Sequence, residues 1–128
     1  MTRHEGYLED VARNALKRHI DEHGATTFAK MEDIFRKCGY LYSGERTVRL
    51  PGNDSIFLWH GWSEEACQLV FGLLEEGYSV ATCHPVVYLV DGAIPGNFEL
   101  ARDVNRRYAK PRWLPCVWVR DEEVANGK

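Results

Sequence analysis

An aromatic corner in the middle of the chain, Trp59-His60-Gly61-Trp62, brings two indole rings and an imidazole within one short segment. Imidazole takes up and releases protons near neutral pH, and indole rings favour apolar or aromatic ligands. Two tryptophans this close either pack together in the core or leave one ring partly exposed for a partner or a pocket. Trp59, His60 and Trp62 are therefore candidate lining residues for a ligand-binding domain or a small hydrolase.

Basic residues interleaved with aromatic ones form two clusters, one on each side of this corner. Phosphates attract guanidinium and ammonium groups, and nucleobases stack on aromatic rings, so each cluster is a candidate nucleic-acid footprint. A solvated charged surface is the alternative. The first cluster consists of Arg36, Lys37, Tyr40, Tyr42, Arg46 and Arg49, and the second of Arg102, Arg106, Arg107, Tyr108, Lys110, Arg112 and Trp113.

The segment between Leu50 and Ala101 contains no lysine and no arginine, although the chain has 16 basic residues in all. Carboxylates populate the same segment, so the middle of the protein is acidic wherever it meets water. A polyanion would therefore have to be bound by the two terminal basic clusters. The carboxylates are Asp54, Glu64, Glu65, Glu75, Glu76, Asp91 and Glu99.

The segment His19-Ile20-Asp21-Glu22-His23 matches H-x-x-E-H, a pattern in which two histidines hold zinc and a glutamate acts as a base. It lies immediately before Gly24, at the end of a helical pattern, and histidine is favoured at a helix C-terminus without any metal. No third ligand is recognisable in the sequence. We expect a solvated helix end here, with no metal site and no cofactor.

Four cysteines, at positions 38, 67, 83 and 116, are widely spaced and include no Cys-x-x-Cys pair, which favours buried free thiols in a cytoplasmic protein. The glycine-containing turns lack the Lys-Ser/Thr of a phosphate-binding loop. No apolar run approaches the ~18 residues of a membrane span, and the N-terminal segment does not resemble a signal peptide. We therefore expect a cytoplasmic protein without a membrane partner.

Two amphipathic helices are predicted at the N-terminus. Apolar residues recur at helical spacing over residues 7–23, and Gly24 provides a stop. A second apolar face follows Thr26 or Thr27 as N-cap and ends at Gly39. Only a few residues connect the two patterns, which predicts a helical hairpin.

The remainder alternates between strand and helix patterns. Residues 46–60 predict a hairpin around the Pro51–Asp54 turn. Further predictions are a second hairpin from 78–83 and 86–91, a helix over 98–108, and a last strand from Cys116, at an edge or simply beginning after Pro115. Ser63 caps a third predicted helix, whose inward residues are Leu69, Val70, Leu73 and Leu74.

Together these patterns predict an α+β protein: an N-terminal helical hairpin, a mostly antiparallel sheet of two β-hairpins and a last strand, and a third amphipathic helix packed on it. Residues 1–120 form one domain and 121–128 a frayed polar tail. No nucleophile, base and orienting group share a readable spacing. The favoured function is a non-enzymatic protein-interaction module that binds a protein partner or a second copy of itself as a homodimer. The alternatives are a nucleic-acid-binding regulator and the ligand pocket or hydrolase.

Overall fold

A computed structural model of the protein describes residues 3–93, 96 and 98–126. Helices and short strands succeed one another along the chain, so the α+β class is confirmed. The helices are α1 Arg3–His23, α2 Phe28–Cys38, α3 Glu64–Phe71, α4 Val86–Val90 and α5 Asp121–Asn126, and a 3-10 turn Gly72–Glu75 follows α3. The strands are β1 Thr26–Thr27, β2 Ser43–Leu50, β3 Asn53–Trp62, β4 Tyr78–Thr82, β5 Arg112–Trp113 and β6 Cys116–Arg120.

The N-terminal helical hairpin is confirmed, and local capping explains the bounds of α2. The Thr27 side chain accepts a hydrogen bond from the Lys30 backbone N–H at the start of α2. Gly39 ends the helix in the left-handed conformation, with φ +74°, which glycine adopts without a Cβ clash. The apolar stripe of α1 packs into the core and includes Ala12, Leu16 and Ile20.

The strands form two three-stranded sheets. One has the order β1-β6-β4 and is antiparallel throughout. The other has the order β2-β3-β5, in which β2 and β3 form the predicted antiparallel hairpin and β5 lies parallel to β3. The last strand is predicted either to lie at an edge or to begin after Pro115. Strand β6 begins at Cys116, directly after Pro115, and it is the central strand of its sheet.

Register shifts in the β2–β3 hairpin decide which side chains share a face. Val48 pairs with Trp59, but Arg49 pairs with Phe57, so one extra residue of β3 is accommodated there. Another shift falls beside Gly61, whose φ of +89° suits a bulge.

These two bulges explain the placement of the aromatic corner. Strict alternation would put residues three positions apart on opposite faces of a strand. With a bulge between them, Trp59 and Trp62 both point to the inner face instead. By the same reasoning Phe57 and His60 share the outer face, where their ring centroids lie 5.9 Å apart.

The predicted second β-hairpin is wrong. Residues Val86–Val90 form the short helix α4, and β4 pairs with β6 instead. The run of valines favours a strand by local propensity, but helical geometry turns Tyr88 into the core. There its hydroxyl donates to the Cys116 carbonyl at 2.6 Å and accepts from the Phe28 N–H at 3.2 Å. These tertiary hydrogen bonds override the strand preference.

The helix predicted over residues 98–108 is also wrong. The segment is irregular, and Leu100 forms an isolated parallel bridge to Trp113. The backbone N–H groups of Ala101 and Trp113 donate to the carbonyls of Trp113 and Glu99 respectively. Pairing with a distant part of the chain therefore replaces the local hydrogen bonds of a helix.

The third helix, α3, has the predicted Ser63 cap, whose hydroxyl accepts from the Ala66 N–H. Its inward residues are confirmed except for Leu74, which is 44% exposed because the chain tightens into the 3-10 turn. At the other end of the chain, residues 121–126 of the polar segment form α5.

Candidate binding surfaces

The aromatic corner is divided between the two faces of β3. Trp59 and Trp62 are buried in the core, with 4% and 0% of their surface exposed. Both indole N–H groups donate to the same carboxylate oxygen, Oε2 of Glu32 on α2, at 2.7 and 2.9 Å. Of the two alternatives for these rings, packing in the core therefore applies to both, and neither ring is available to a ligand at the surface.

Glu32 is the residue that sequence reasoning missed. It occupies the middle of the apolar stripe of α2, four residues after Phe28 and three before Phe35, both fully buried. A carboxylate on such a stripe requires donors from the neighbouring element, and this is the signal that identifies it. Its other oxygen lies 3.5 Å from the Tyr42 hydroxyl and 4.0 Å from the Arg36 guanidinium. Its hydrogen-bonding capacity is thus largely used within the fold.

His60 lies on the outer face of β3, where it borders a small recess of about 180 Å³. Phe57 and Phe98 contribute aromatic walls, with their ring centroids 4.7 Å apart in an edge-to-face arrangement. The Phe98 ring also meets His60 edge-on at 6.0 Å and remains 42% exposed. Thr47, Arg49 and Pro111 complete the lining.

The second basic cluster lies on a loop that hydrogen bonds hold in place. The Asn53 amide nitrogen donates to the carbonyls of Val104 and Arg106 at 2.9 and 2.8 Å. Ser55 Oγ donates to Asn53 Oδ1 and accepts from the Tyr108 N–H. Asn53, a buried polar residue, thus ties the loop to the β2–β3 hairpin.

Two arginines of this loop contact the same aromatic ring. The Arg112 guanidinium lies over the Tyr108 ring, 4.4 Å from its centroid, and the Arg106 guanidinium lies over the same ring at 5.4 Å. Arg112 also lies 3.7 Å from the Glu99 carboxylate. Arg107 is exposed on the same loop.

Trp113, the last member of this cluster, is not available to a ligand. Its ring is buried, and its indole N–H donates to the Leu58 carbonyl at 3.1 Å. The ring also meets Tyr88 edge-on in the core, with centroids 5.1 Å apart. The exposed part of the second cluster therefore ends at Arg112.

Most of the first basic cluster is paired with acidic side chains. Asp33 lies 3.2 Å from the Lys37 ammonium and 3.7 Å from the Arg36 guanidinium. Arg46 pairs with Glu64 at 2.9 Å. These pairs reduce the positive potential that the cluster offers to a polyanion.

Arg49 differs from the rest of the first cluster. Its guanidinium donates to the Asp54 carbonyl at 3.0 Å, and its side chain borders the recess beside His60. Pro111 of the second cluster's loop borders the same recess. The two clusters therefore approach each other through Arg49.

An open cleft of about 700 Å³ is lined by residues of both sheets. Strand β4 lines one side, and the β2–β3 turn with Val104 and Asn105 lines another. The lining residues that the structure describes are all uncharged. They are Leu50, Pro51, Gly52, Asn53, Leu58, Phe71, Leu74, Ser79, Val80, Thr82, Val104, Asn105, Leu114 and Cys116.

Cys83 and Cys116 are poor candidates for a nucleophile. Burial raises the pKa of the Cys83 thiol to about 11 and that of Cys116 to about 12, which disfavours the nucleophilic thiolate. Burial, followed by the neighbouring His23, lowers the pKa of His19. Among the described residues, no group of three or more histidine, cysteine, aspartate or glutamate side chains is arranged to hold a metal ion.

No protein-family model, curated protein or solved structure matches the chain. Within the described residues, every helix is too short or too polar to cross a bilayer. The geometry and charge of the two surfaces, the β4 cleft and the recess beside Phe98, are therefore the basis for a functional assignment.

Proposed function

We propose that the protein is a non-enzymatic interaction module that binds an extended, uncharged segment of a partner protein along β4. The outer edge of β4, opening into the 700 Å³ cleft, carries this proposal. An extended peptide that adds a strand to such an edge gains main-chain hydrogen bonds, and adjoining pockets select its side chains.

The hydrogen-bond pattern identifies the groups that the edge offers. At the two ends of the β4–β6 ladder, the Cys83 N–H donates to Pro115 and the Asp121 N–H donates to Gly77. Antiparallel strands alternate between residues that bond to the partner strand and residues that face away. The backbone groups of residues 79 and 81 therefore face β6, and those of residues 78, 80 and 82 face outward. In the described part of the chain, no strand pairs with that edge.

The composition of β4 supports the same interpretation. Exposed edge strands are usually protected by lysine, proline or a bulge. The five residues Tyr78–Thr82 contain neither charge nor proline, and their pairing with β6 is regular. Such an edge favours a pairing partner.

The shape of the cleft favours a single extended segment over a second copy of the chain. β4 forms one wall of the cleft, and the hairpin turn at Pro51 and Gly52 also contributes to its lining. A second copy would have to bring its own recessed β4 into that space together with its surrounding walls. The uncharged lining and the exposed side chains of Leu74 and Val104 suit a segment that alternates apolar and hydroxyl side chains.

The test is a selection from a phage-displayed library of random dodecapeptides, followed by titration of the enriched peptides against variants. Val80→Pro removes an outward N–H without removing a bond of the β4–β6 ladder, so the protein should still fold. We expect uncharged, alternating peptides that bind the wild-type protein at least about tenfold more tightly than Val80→Pro, which corresponds to the loss of roughly one hydrogen bond.

Val80→Ala is the matched control, because it shortens the same side chain but keeps the backbone donor. It should retain most of the affinity, and light scattering should show a monomer in the absence of peptide. Failure to enrich any peptide over immobilised albumin, or equal binding by Val80→Pro and wild-type protein, would contradict the proposal.

A further inference from the structure

We propose that the outer face of the β2-β3-β5 sheet is a binding site for single-stranded nucleic acid, with one base in the recess beside Phe98 and the adjoining phosphates on the loop of residues 102–112. The recess and the β4 cleft share none of their described lining residues, although Val104 and Asn105 of the same loop also border the cleft. Two distant parts of the sequence form the proposed site: the β2–β3 hairpin, with Arg49 and the outer side chains of β3, and the segment that contains Phe98 and the basic loop.

The recess suits a single flat ring. Its volume of about 180 Å³ is below the ~300–1,000 Å³ of typical small-molecule pockets. Its aromatic walls, Phe57, His60 and Phe98, meet one another edge-to-face with centroids 4.7 to 6.0 Å apart. Phe57 is buried, whereas the Phe98 ring is accessible from solvent. Base stacking on such a ring tolerates any sequence because every base has a π-face.

The Arg49 side chain borders the recess on the β2 side, and Pro111 of the basic loop borders it on the other. Arg112, the residue after Pro111, lies 3.7 Å from the Glu99 carboxylate. Residues 102–112 include five arginines and lysines but one carboxylate, Asp103. Phosphates are attracted to such a loop, whereas the acidic third helix would repel them.

Four of these basic residues lie exposed at the surface of the loop: Arg102, Arg106, Arg107 and Lys110. Within residues 3–93, 96 and 98–126, none of the four forms an ion pair with a carboxylate. A bound phosphate would therefore not have to displace an acidic side chain from any of them.

The loop is held in shape before any ligand binds. Asn53 fixes the carbonyls of Val104 and Arg106, and the Tyr108 ring is contacted by both Arg106 and Arg112. Binding therefore requires little ordering of the loop, which reduces its entropic cost. A duplex is a poor fit, because its stacked bases cannot enter the recess unless they leave the helix.

The experiment is a fluorescence-anisotropy titration with labelled oligo(dT) and oligo(U) of about ten nucleotides, within the ~4–16 that a small domain spans. We expect binding in the micromolar range at low salt that weakens between about 50 and 200 mM salt. Phe98→Ala should weaken binding about tenfold or more, as expected for the loss of one stacked base, and Phe98→Tyr should retain most of the affinity.

The phosphate contacts are tested by the salt dependence of the same titration. Arg106→Ala combined with Arg107→Ala should lower its slope by about 1.4 log units per log unit of salt, since each single-strand phosphate contributes about 0.7. The control is Glu64→Gln combined with Glu65→Gln on α3. It removes two negative charges, whereas the double arginine variant removes two positive ones, and it should leave binding unchanged or slightly tighter. An unchanged slope in the double arginine variant would contradict the placement of the phosphates.

The two proposed sites can fail independently. Val80→Pro should bind oligonucleotides normally, and Phe98→Ala should bind the β4 peptides normally. No oligonucleotide binding at low salt, or equal binding by Phe98→Ala and wild-type protein, would overturn the proposal. Uridine monophosphate competing as tightly as the strand would also overturn it, because the loop phosphates would then contribute nothing.

Discussion

The two faces of β3 use neighbouring residues of one short segment in opposite ways. On the inner face, Trp59 and Trp62 are buried and both donate to Glu32, so their polar atoms are satisfied within the fold. On the outer face, His60 and the exposed Phe98 border a recess open to solvent. Two bulges make the division, because each shifts the alternation of side chains by one residue. The composition of a segment therefore indicates which chemistry is present, whereas the register decides where it is available.

The largest effect should come from removing an inner ring. Trp62→Ala deletes a fully buried indole and should cost about 3–5 kcal/mol of the free energy of unfolding. His60→Ala, on the outer face, should cost less than about 1 kcal/mol, as is usual at the surface. Chemical denaturation of the two variants measures both values. Similar losses in the two variants would show that the faces are not energetically distinct.

A smaller loss should follow from changing the carboxylate that joins the inner rings. Glu32→Gln keeps the side-chain shape but replaces a charged acceptor of two indole N–H groups by a neutral amide, which should cost about 1–3 kcal/mol. Asp33→Asn is the matched control, because the ion pairs of this adjacent carboxylate lie at the surface, where each is worth up to about 1 kcal/mol. Denaturation midpoints compare the two variants. An equal loss in both would remove Glu32 from its role as the link between α2 and β3.

The sequence predicts best where the decisive interactions are local. The cap at Thr27 and the stop at Gly39 lie within a few residues of the hydrogen bonds that they make, and the bounds of α2 follow from them. Residues Val86–Val90 are misread as a strand because their helical form depends on Tyr88 bonding to residues far away in the chain. The outer recess also could not be predicted from the sequence, because it depends on contacts between residues far apart in the chain. It requires a bulge in β3 and the contact of Phe98 with Phe57.

The smallest expected effect concerns His19 on α1. Its side chain is partly buried, so it is more exposed than Trp59 and Trp62 and less exposed than His60. Burial first, and then the positive charge of His23 and Lys30, lower the pKa of His19 from its ordinary value of 6.5, against the weaker opposing effect of Asp91 and Glu22. The unfolded chain therefore takes up this proton more readily than the folded protein. The contribution of His19 to stability should be fully present above about pH 6.5 and should fall as the pH decreases below it.

His19→Gln should remove this part of the acid sensitivity, because the replacement cannot be protonated. Thermal or chemical unfolding at a series of pH values between about 7.5 and 5 measures the difference between the variant and the wild-type protein. His23→Gln should have an intermediate effect, since it removes one of the charges that lower the pKa of His19 but leaves the burial that is the larger cause. If the stability of wild-type protein and His19→Gln fell in parallel over this range, different groups would carry the acid sensitivity, and the partial enclosure of His19 would have no energetic consequence.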